Sequence, residues 1–436
     1  MSKKKIILKC LKYVFFFFFF LIVLLFFGGN NTDNVWNYGV SHALKMGELP
    51  YRDYNSITTP LYQFIMSIGL FINDSYLTFL VEQSILCVVF TIILEKLVGH
   101  NYLFVLSLLL FPVYYFIFPN YNFLVMLIFI YILYLEKEKK PDSVIGIFLG
   151  LLILTKHSVG GFVLIFSLFA TKDIKRAFRR LLFSIMPLGI FLVYLFLTGT
   201  FFDFLDLCVF GLFDFADNNN YISYFFIVLT IICLIYTIYS FIYKKDFLNY
   251  YLLPSFTLLI PILDMFHSFY FLGFFIIVIF IREPLINSKI PISIACVILV
   301  MTFACNFYSD IKISDFVYSS NGHMKYVLVK KDEKKFISSI LKKYKSYENV
   351  CMLSMYSMYF DIESDKKITY FDIPLYGNFG YDGLNKMKKK ISNMHDTYFF
   401  VSDSENRQYA NELNNYVRKN CIFKEKYNNM EIYYME

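Results

Sequence analysis

Charged residues make up only 17% of this 436-residue chain, and tryptophan occurs once. None of the eight cysteines belongs to a C-x-x-C pair, and no histidine falls at a metal-ligand spacing beside them, which argues against a zinc or iron–sulfur site. In the hydrophilic stretch 310–436 no glycine-rich phosphate loop follows a strand-like run, so a nucleotide site is not expected there. There is no repeat of fixed period and no small-x-small cleavage site after the first apolar run. What is abundant is apolar surface: 58% of residues are hydrophobic, 21% are aromatic, and mean hydropathy is +0.53. No water-soluble core hides that much, which excludes a soluble globular enzyme, a disordered chain and a secreted disulfide scaffold. The expectation is a polytopic α-helical membrane protein. The 34 Lys against 7 Arg, with abundant Ile, Asn, Tyr and Phe, suggest an AT-rich bacterial coding genome, so part of the aromatic excess is coding bias.

The opening MSKKKIILKCLK and the apolar run behind it read as a retained first helix, whose five lysines put the N-terminus in the cytoplasm. A first outer loop follows over 30–75. Within it, PLYQFIMSIGLFIN would reach only about 21 Å as a helix, against a hydrocarbon core of about 30 Å, so it reads as a surface or re-entrant helix. Further crossings are expected over 76–94, 102–118, 123–135, 144–154, 161–170, 181–197, 222–243, 247–263, 269–281 and 290–307, about eleven transmembrane helices in all. The loops this threading places inside carry 18 Lys and Arg, whereas the outer loops before the tail carry only Lys45, Arg52 and Lys156. That asymmetry is what the positive-inside rule expects. Basic runs such as TKDIKRAFRR therefore mark inner membrane faces and not nucleic-acid sites. The halves of 144–170 are each short, and two short helices meeting at TKHSVGG would make a recess on the outer side.

The predicted domains are 1–309, within the membrane, and 310–436, whose charge is mixed at 20 Lys and Arg against 17 Asp and Glu. In KKDEKKFISSILKKYKS, helical spacing gathers Phe336, Ile337, Ile340, Leu341 and Tyr344 on one face. The runs NVCML, KITYF, TYFFV, CIFKEKY and EIYYM alternate with helical stretches, so a small C-terminal extracytoplasmic α/β domain is expected. Cys351 and Cys421 lie in it and can pair if it stands outside the cytoplasm.

The first outer loop is the most informative stretch. Val35, Trp36, Tyr38, Val40, Ala43, Leu44 and Met46 form an apolar side opposite Asn37, Ser41 and Lys45, as in a helix lying in the membrane interface. Asp33 stands before it, directly after a membrane crossing, where an N-cap is its simplest role. GELPYRDY and TTPLYQF come next. The order Asp33-Asn34, amphipathic helix, GELPYRDY and TTPLYQF resembles the first outer loop of the GT-C superfamily of polyprenyl-phosphate-sugar-dependent glycosyltransferases, which includes protein O-mannosyltransferases and the aminoarabinose and galacturonic acid transferases of lipopolysaccharide. The many-helix body with an outer C-terminal domain extends the resemblance over nearly the whole chain.

The resemblance implies that Asp33 is the general base taking the acceptor hydroxyl proton. Asn34 stands where the family has Glu and cannot accept a proton, which disfavours a metal-assisted or two-carboxylate mechanism unless Asp53, Asp74 or Glu82 compensates. The leaving polyprenyl phosphate needs fixed cations, and the outer side supplies Arg52, Lys156, His42, His157 and His267. Lys156 in LTKHSVGG corresponds to a family Thr-Lys segment. Asp264, His267 and Tyr270 in DMFHSFYF are similar to a family basic or His-Tyr segment and are expected to bind phosphate or orient the acceptor. FPNYN offers Asn120, Tyr121 and Asn122 to sugar hydroxyls. No cofactor is required on this reading, metal ligands are not expected, and divalent-cation assistance stays open. The implied partners are a polyprenyl-phosphate-linked sugar, a glycan, lipid or protein acceptor and the membrane lipids, at the cell membrane. A lipid-linked saccharide transporter or flippase, and a non-catalytic envelope-assembly protein, remain alternatives.

Overall fold

The computed structural model describes residues 3–27, 31–99, 119–213, 224–244, 246–259, 265–282, 316–344, 347, 349–364, 373–406 and 408–436. In chain order the helices begin with α1 (Lys3–Phe27), α2 (Thr32–Lys45), α3 (Leu61–Leu70) and α4 (Tyr76–Val98). They continue with α5 (Tyr121–Lys137), α6 (Asp142–Thr155), α7 (His157–Ala170), α8 (Ile174–Thr198), α9 (Tyr224–Tyr243) and α10 (Met265–Arg282). The tail adds β1 (Phe316–Tyr318), β2 (Leu328–Lys330), α11 (Lys331–Lys343), β3 (Val350–Leu353), α12 (Ser357–Ser364), α13 (Gly383–Ser392), β4 (Thr397–Val401), α14 (Asn411–Asn420), β5 (Ile422–Tyr427) and β6 (Met430–Met435).

The chain is mostly helical, and among the described residues three helices are long and apolar enough to cross a membrane: Ile6–Phe26, Tyr76–Val98 and Ile174–Thr198. These make it a membrane protein. Shorter apolar helices cover several other expected crossings, and the short helix expected at PLYQFIMSIGLFIN is the ten-residue α3. The crossing expected over 247–263 is not one continuous α-helix. A short α turn, Asn249–Leu252, passes into a 3-10 helix, Leu253–Leu259, at Pro254, which has no amide hydrogen to donate. The crossings expected over 102–118 and 290–307, and the strand KITYF, lie outside the described residues.

The chain divides into two compact units. The first comprises residues 1–24, 81–193 and 220–312. Here α6 and α7 form a hairpin of two 14-residue helices, each about 21 Å long, with Lys156 as the extended residue between them. Glycine permits the close packing of this hairpin. A Cβ on Gly160 would lie 2.4 Å from the Ile153 amide nitrogen, and one on Gly146 or Gly150 would lie 2.5 or 2.3 Å from the α8 carbonyl oxygens of Arg180 or Ser184. Small residues at i and i+4 let two backbones approach in this way. At one end of the hairpin the guanidinium of Arg180, 1% exposed, is bound by both carboxylate oxygens of Glu136, by Asp142 at 2.8 Å and by the Ser167 hydroxyl at 2.7 Å. Tyr251 adds a 2.6 Å hydrogen bond to Glu136, and Arg176 pairs with Asp142 at 2.9 Å. Lys12 and Tyr13 of α1 both reach Glu95 of α4 at 2.6 Å.

The second unit gathers three distant stretches, residues 25–80, 194–219 and 313–436. Its tail contains a four-stranded sheet of order β3-β4-β6-β5, with β3 parallel to β4 and the other pairs antiparallel. Alternation along the strands builds two cores. Cys351, Leu353, Phe399, Val401 and Tyr433 face α13 and α14. Val350, Met352, Phe400, Met430 and Ile432 face α11, whose Ile337, Ile340 and Tyr344 are buried as the helical spacing predicts. Cys351 and Cys421 are free thiols. Cys351 is buried and Cys421 packs against the same core, but no bond joins them, so the pairing considered from sequence is not present. The stretches of this unit meet in specific contacts. Gly39 of α2 lies under Met358 of α12, Lys386 of α13 pairs with Asp206 at 2.6 Å, and the Cys208 thiol donates to the Ser56 carbonyl at 3.3 Å.

Candidate functional site

The sequence-predicted residues fall into two groups, one in each unit. In the second unit, α2 starts one turn earlier than its apolar face suggests. Asn31 is the N-cap, its side chain accepting the Asn34 amide at 2.9 Å. Asp33 is therefore not the cap. It sits exposed in the first turn of α2, where the helix dipole favours a carboxylate over a carboxylic acid. Asn34 is fully buried and donates to the Tyr76 hydroxyl at 2.7 Å, tying α2 to the start of α4. An amide does this structural work without the charge that a Glu would bury there.

Arg52 and Asp53 follow Tyr51, a residue held at φ 73° with its ring buried. Arg52 grips the Asp53 carboxylate with two 2.9 Å hydrogen bonds, and Asp53 also accepts the Leu49 amide at 2.8 Å. Arg52 thus brings its own counter-ion, and Asp53 is committed to holding the loop.

In the first unit, Lys156 donates to the Asn122 side-chain oxygen at 3.0 Å and lies 5.8 Å from the Tyr121 ring centroid. Asn120 caps α5, accepting the Asn122 amide at 2.9 Å, and also accepts the Tyr270 hydroxyl at 3.0 Å. Gln83, next to the half-buried Glu82 on α4, reaches the Pro119 carbonyl at 3.2 Å. Lys156 and Tyr270 therefore converge on Asn122 and Asn120 at the start of α5. His157 begins α7 beside Lys156, and His267 lies in the first turn of α10, both half-buried. Asp264 lies outside the described residues.

One constellation was not assembled from sequence. Tyr38, His42 and Lys45, at helical spacing on α2, face Asp74 in the turn before α4 and His323 in the turn between β1 and β2. His42 Nδ1 is 3.0 Å from Asp74, Lys45 Nζ is 3.0 Å from Asp74 Oδ2, and His323 Nδ1 is 3.9 Å from Asp74 Oδ1. The Tyr38 hydroxyl bridges His323 Nδ1 at 3.1 Å and Asp74 Oδ1 at 3.4 Å. The His323 carbonyl accepts the Tyr76 amide at 2.9 Å, which pins the turn to α4. Burial of Asp74 opposes its charge, but the hydrogen bonds from His42 and Lys45 and the nearby His323 outweigh it and lower its pKa to about 2. His42 and Asp74 were visible in sequence as an outer-side cation and a spare acid. His323 carried no local signal, because its partners are far away along the chain.

Comparison with protein-family models, curated proteins and solved structures finds no match to this chain.

Proposed function

We propose that this protein is an integral-membrane, inverting glycosyltransferase that moves a sugar from a polyprenyl-phosphate carrier to an acceptor hydroxyl on a cell-envelope glycan, lipid or protein. The observation that carries the proposal is Asp33, an exposed carboxylate in the first turn of an amphipathic helix directly after the first apolar helix. Asp33 takes the proton of the attacking hydroxyl, and the helix N-terminus keeps it ionised for that task. Lys156 is the leading cation for the carrier phosphate, held by Asn122 beside the Tyr121 ring. Tyr270 and the histidines His157 and His267 are assigned to phosphate or acceptor. Arg52 takes a lesser role than its sequence position suggests, because Asp53 already neutralises it.

The accompanying topology has about eleven crossings, a cytoplasmic N-terminus and the first loop and tail on the outer face. It is supported by the basic residues of the expected inner loops. Membership of the first loop and the tail in one compact unit also supports it. Purified protein in nanodiscs, given a panel of polyprenyl-phosphate sugars, is expected to release free polyprenyl phosphate. The Asp33→Asn variant should lose about 100-fold or more of that rate. Full activity in a folded Asp33→Asn protein would remove the assigned base, and equal donor binding without release by either protein would favour a transporter.

A further inference from the structure

We propose that His42, Asp74 and His323 form a binding site for a zinc-like divalent transition metal, independent of the glycosyltransferase reading. One donor atom from each of the three residues lies within 4.8 Å of the other two. A four-coordinate zinc with bonds of about 2.0–2.2 Å sets neighbouring donors roughly 3.3–3.5 Å apart. The 3.0 Å separation of His42 and Asp74 and the 3.9 Å separation of Asp74 and His323 bracket that spacing. Two imidazoles and one carboxylate are a borderline donor set suited to zinc and its neighbours in the transition series, whereas calcium and magnesium favour sites built from oxygen. The Tyr38 hydroxyl, within 3.4 Å of both Asp74 and His323, either orients these ligands or stands beside a water in the fourth position.

The surroundings hold the ligands before any metal arrives. His42 is 2% exposed on a regular helix, and the His323 turn is anchored by its carbonyl to the Tyr76 amide. Lys45 already balances the Asp74 carboxylate, and an incoming cation must share that carboxylate with it. Binding at His42 Nδ1 moves the ring proton to the buried Nε2, a cost the metal bond must outweigh. His42 and Asp74 come from the first loop and His323 from the tail, so the bound ion would cross-link two stretches distant in sequence within one compact unit. Because folding brings the ligands together, metal binding is coupled to the stability of that unit.

The test uses the full chain in nanodiscs, stripped with a chelator and titrated with zinc. One equivalent per chain and a raised melting temperature are expected. X-ray absorption of the zinc-loaded protein should give two imidazole nitrogens, further oxygen ligands and no sulfur. His323→Ala should weaken binding by more than about 100-fold, since even partners of metal ligands cost 10- to 100-fold, and His323→Cys should restore much of it. Absence of stoichiometric zinc in the wild type, sulfur in its coordination shell or unchanged affinity in a folded His323→Ala protein would each overturn the assignment. The absorption measurement needs no variant, so a variant that fails to fold leaves the proposal open to refutation.

Discussion

Arg180 shows how much one side chain can hold together. Its guanidinium, 1% exposed, meets Glu136 at the end of α5, Asp142 at the start of α6 and Ser167 near the end of α7. Removing the cation alone takes the guanidinium from Glu136 in a water-poor setting and leaves Asp142 to Arg176. Arg180→Met is therefore expected to destabilise the protein by about 3–5 kcal/mol, read as a fall in the denaturation midpoint in detergent. Adding Glu136→Gln to that variant should recover part of the loss, because it removes one unpaired charge. Arg180→Lys is expected to recover less than half, since an ammonium cannot reproduce the fork contacts with both carboxylates. Lys156 is a different case: its neighbours include an amide oxygen and an aromatic ring. If it holds the carrier phosphate, Lys156→Ala should lower kcat/KM by about 100-fold with little change in melting temperature, and Lys156→Arg should retain most activity. A loss of stability equal to the loss of activity would assign Lys156 a structural role.

At the scale of elements, glycine decides how closely the helices of the first unit pack. A Cβ on Gly150 would come within 2.3 Å of the Ser184 carbonyl and 2.4 Å of Pro187 Cγ, both on α8, whereas nothing lies within 4 Å of a Cβ on Gly161. Gly150→Ala must push α6 away from α8 and is expected to cost about 1–3 kcal/mol. Gly161→Ala should be neutral or stabilise by up to about 1 kcal/mol. Thermal unfolding of the two variants side by side checks the contrast, and equal effects would mean the helices have room to adjust. In the tail, the β5–β6 hairpin turns through Asn428, at φ 53°, and Asn429, between the paired residues Tyr427 and Met430. Asparagine tolerates that left-handed backbone better than most residues. Asn428→Gly is expected to be tolerated and Asn428→Val to destabilise the hairpin, measured by proteolysis of the C-terminus.

For the whole molecule, the second unit is assembled from three stretches, so its tail is not expected to behave as an independent domain. Met358 covers Gly39, Lys386 holds Asp206, and His323 reaches Asp74. A chain ending before Ile313 should therefore be cut rapidly by protease within residues 31–75, while the full chain resists. Equal protection of both chains would show that the first loop folds without the tail.

Composition and periodicity alone determined that the chain enters a membrane, that α2 is amphipathic, and that the tail alternates strands with helices. The β3, β4, β5 and β6 runs and the buried face of α11 were legible because period-two and helical spacing are local properties. The N-cap at Asn31 was not, since several polar residues in NNTDN are capable of capping and only the path of the chain selects one. The 3-10 turn at Leu253–Leu259 was hidden within an apolar run whose hydropathy does not report hydrogen-bond geometry. The tertiary structure alone decided that Arg52 is neutralised by its neighbour, that Lys156 and Tyr270 reach Asn122 and Asn120 at the start of α5, and that His42, Asp74 and His323 converge. Local patterns specify which surfaces must be buried. Which distant side chains then share one cluster depends on the packing of the whole chain, and no window of sequence contains that information.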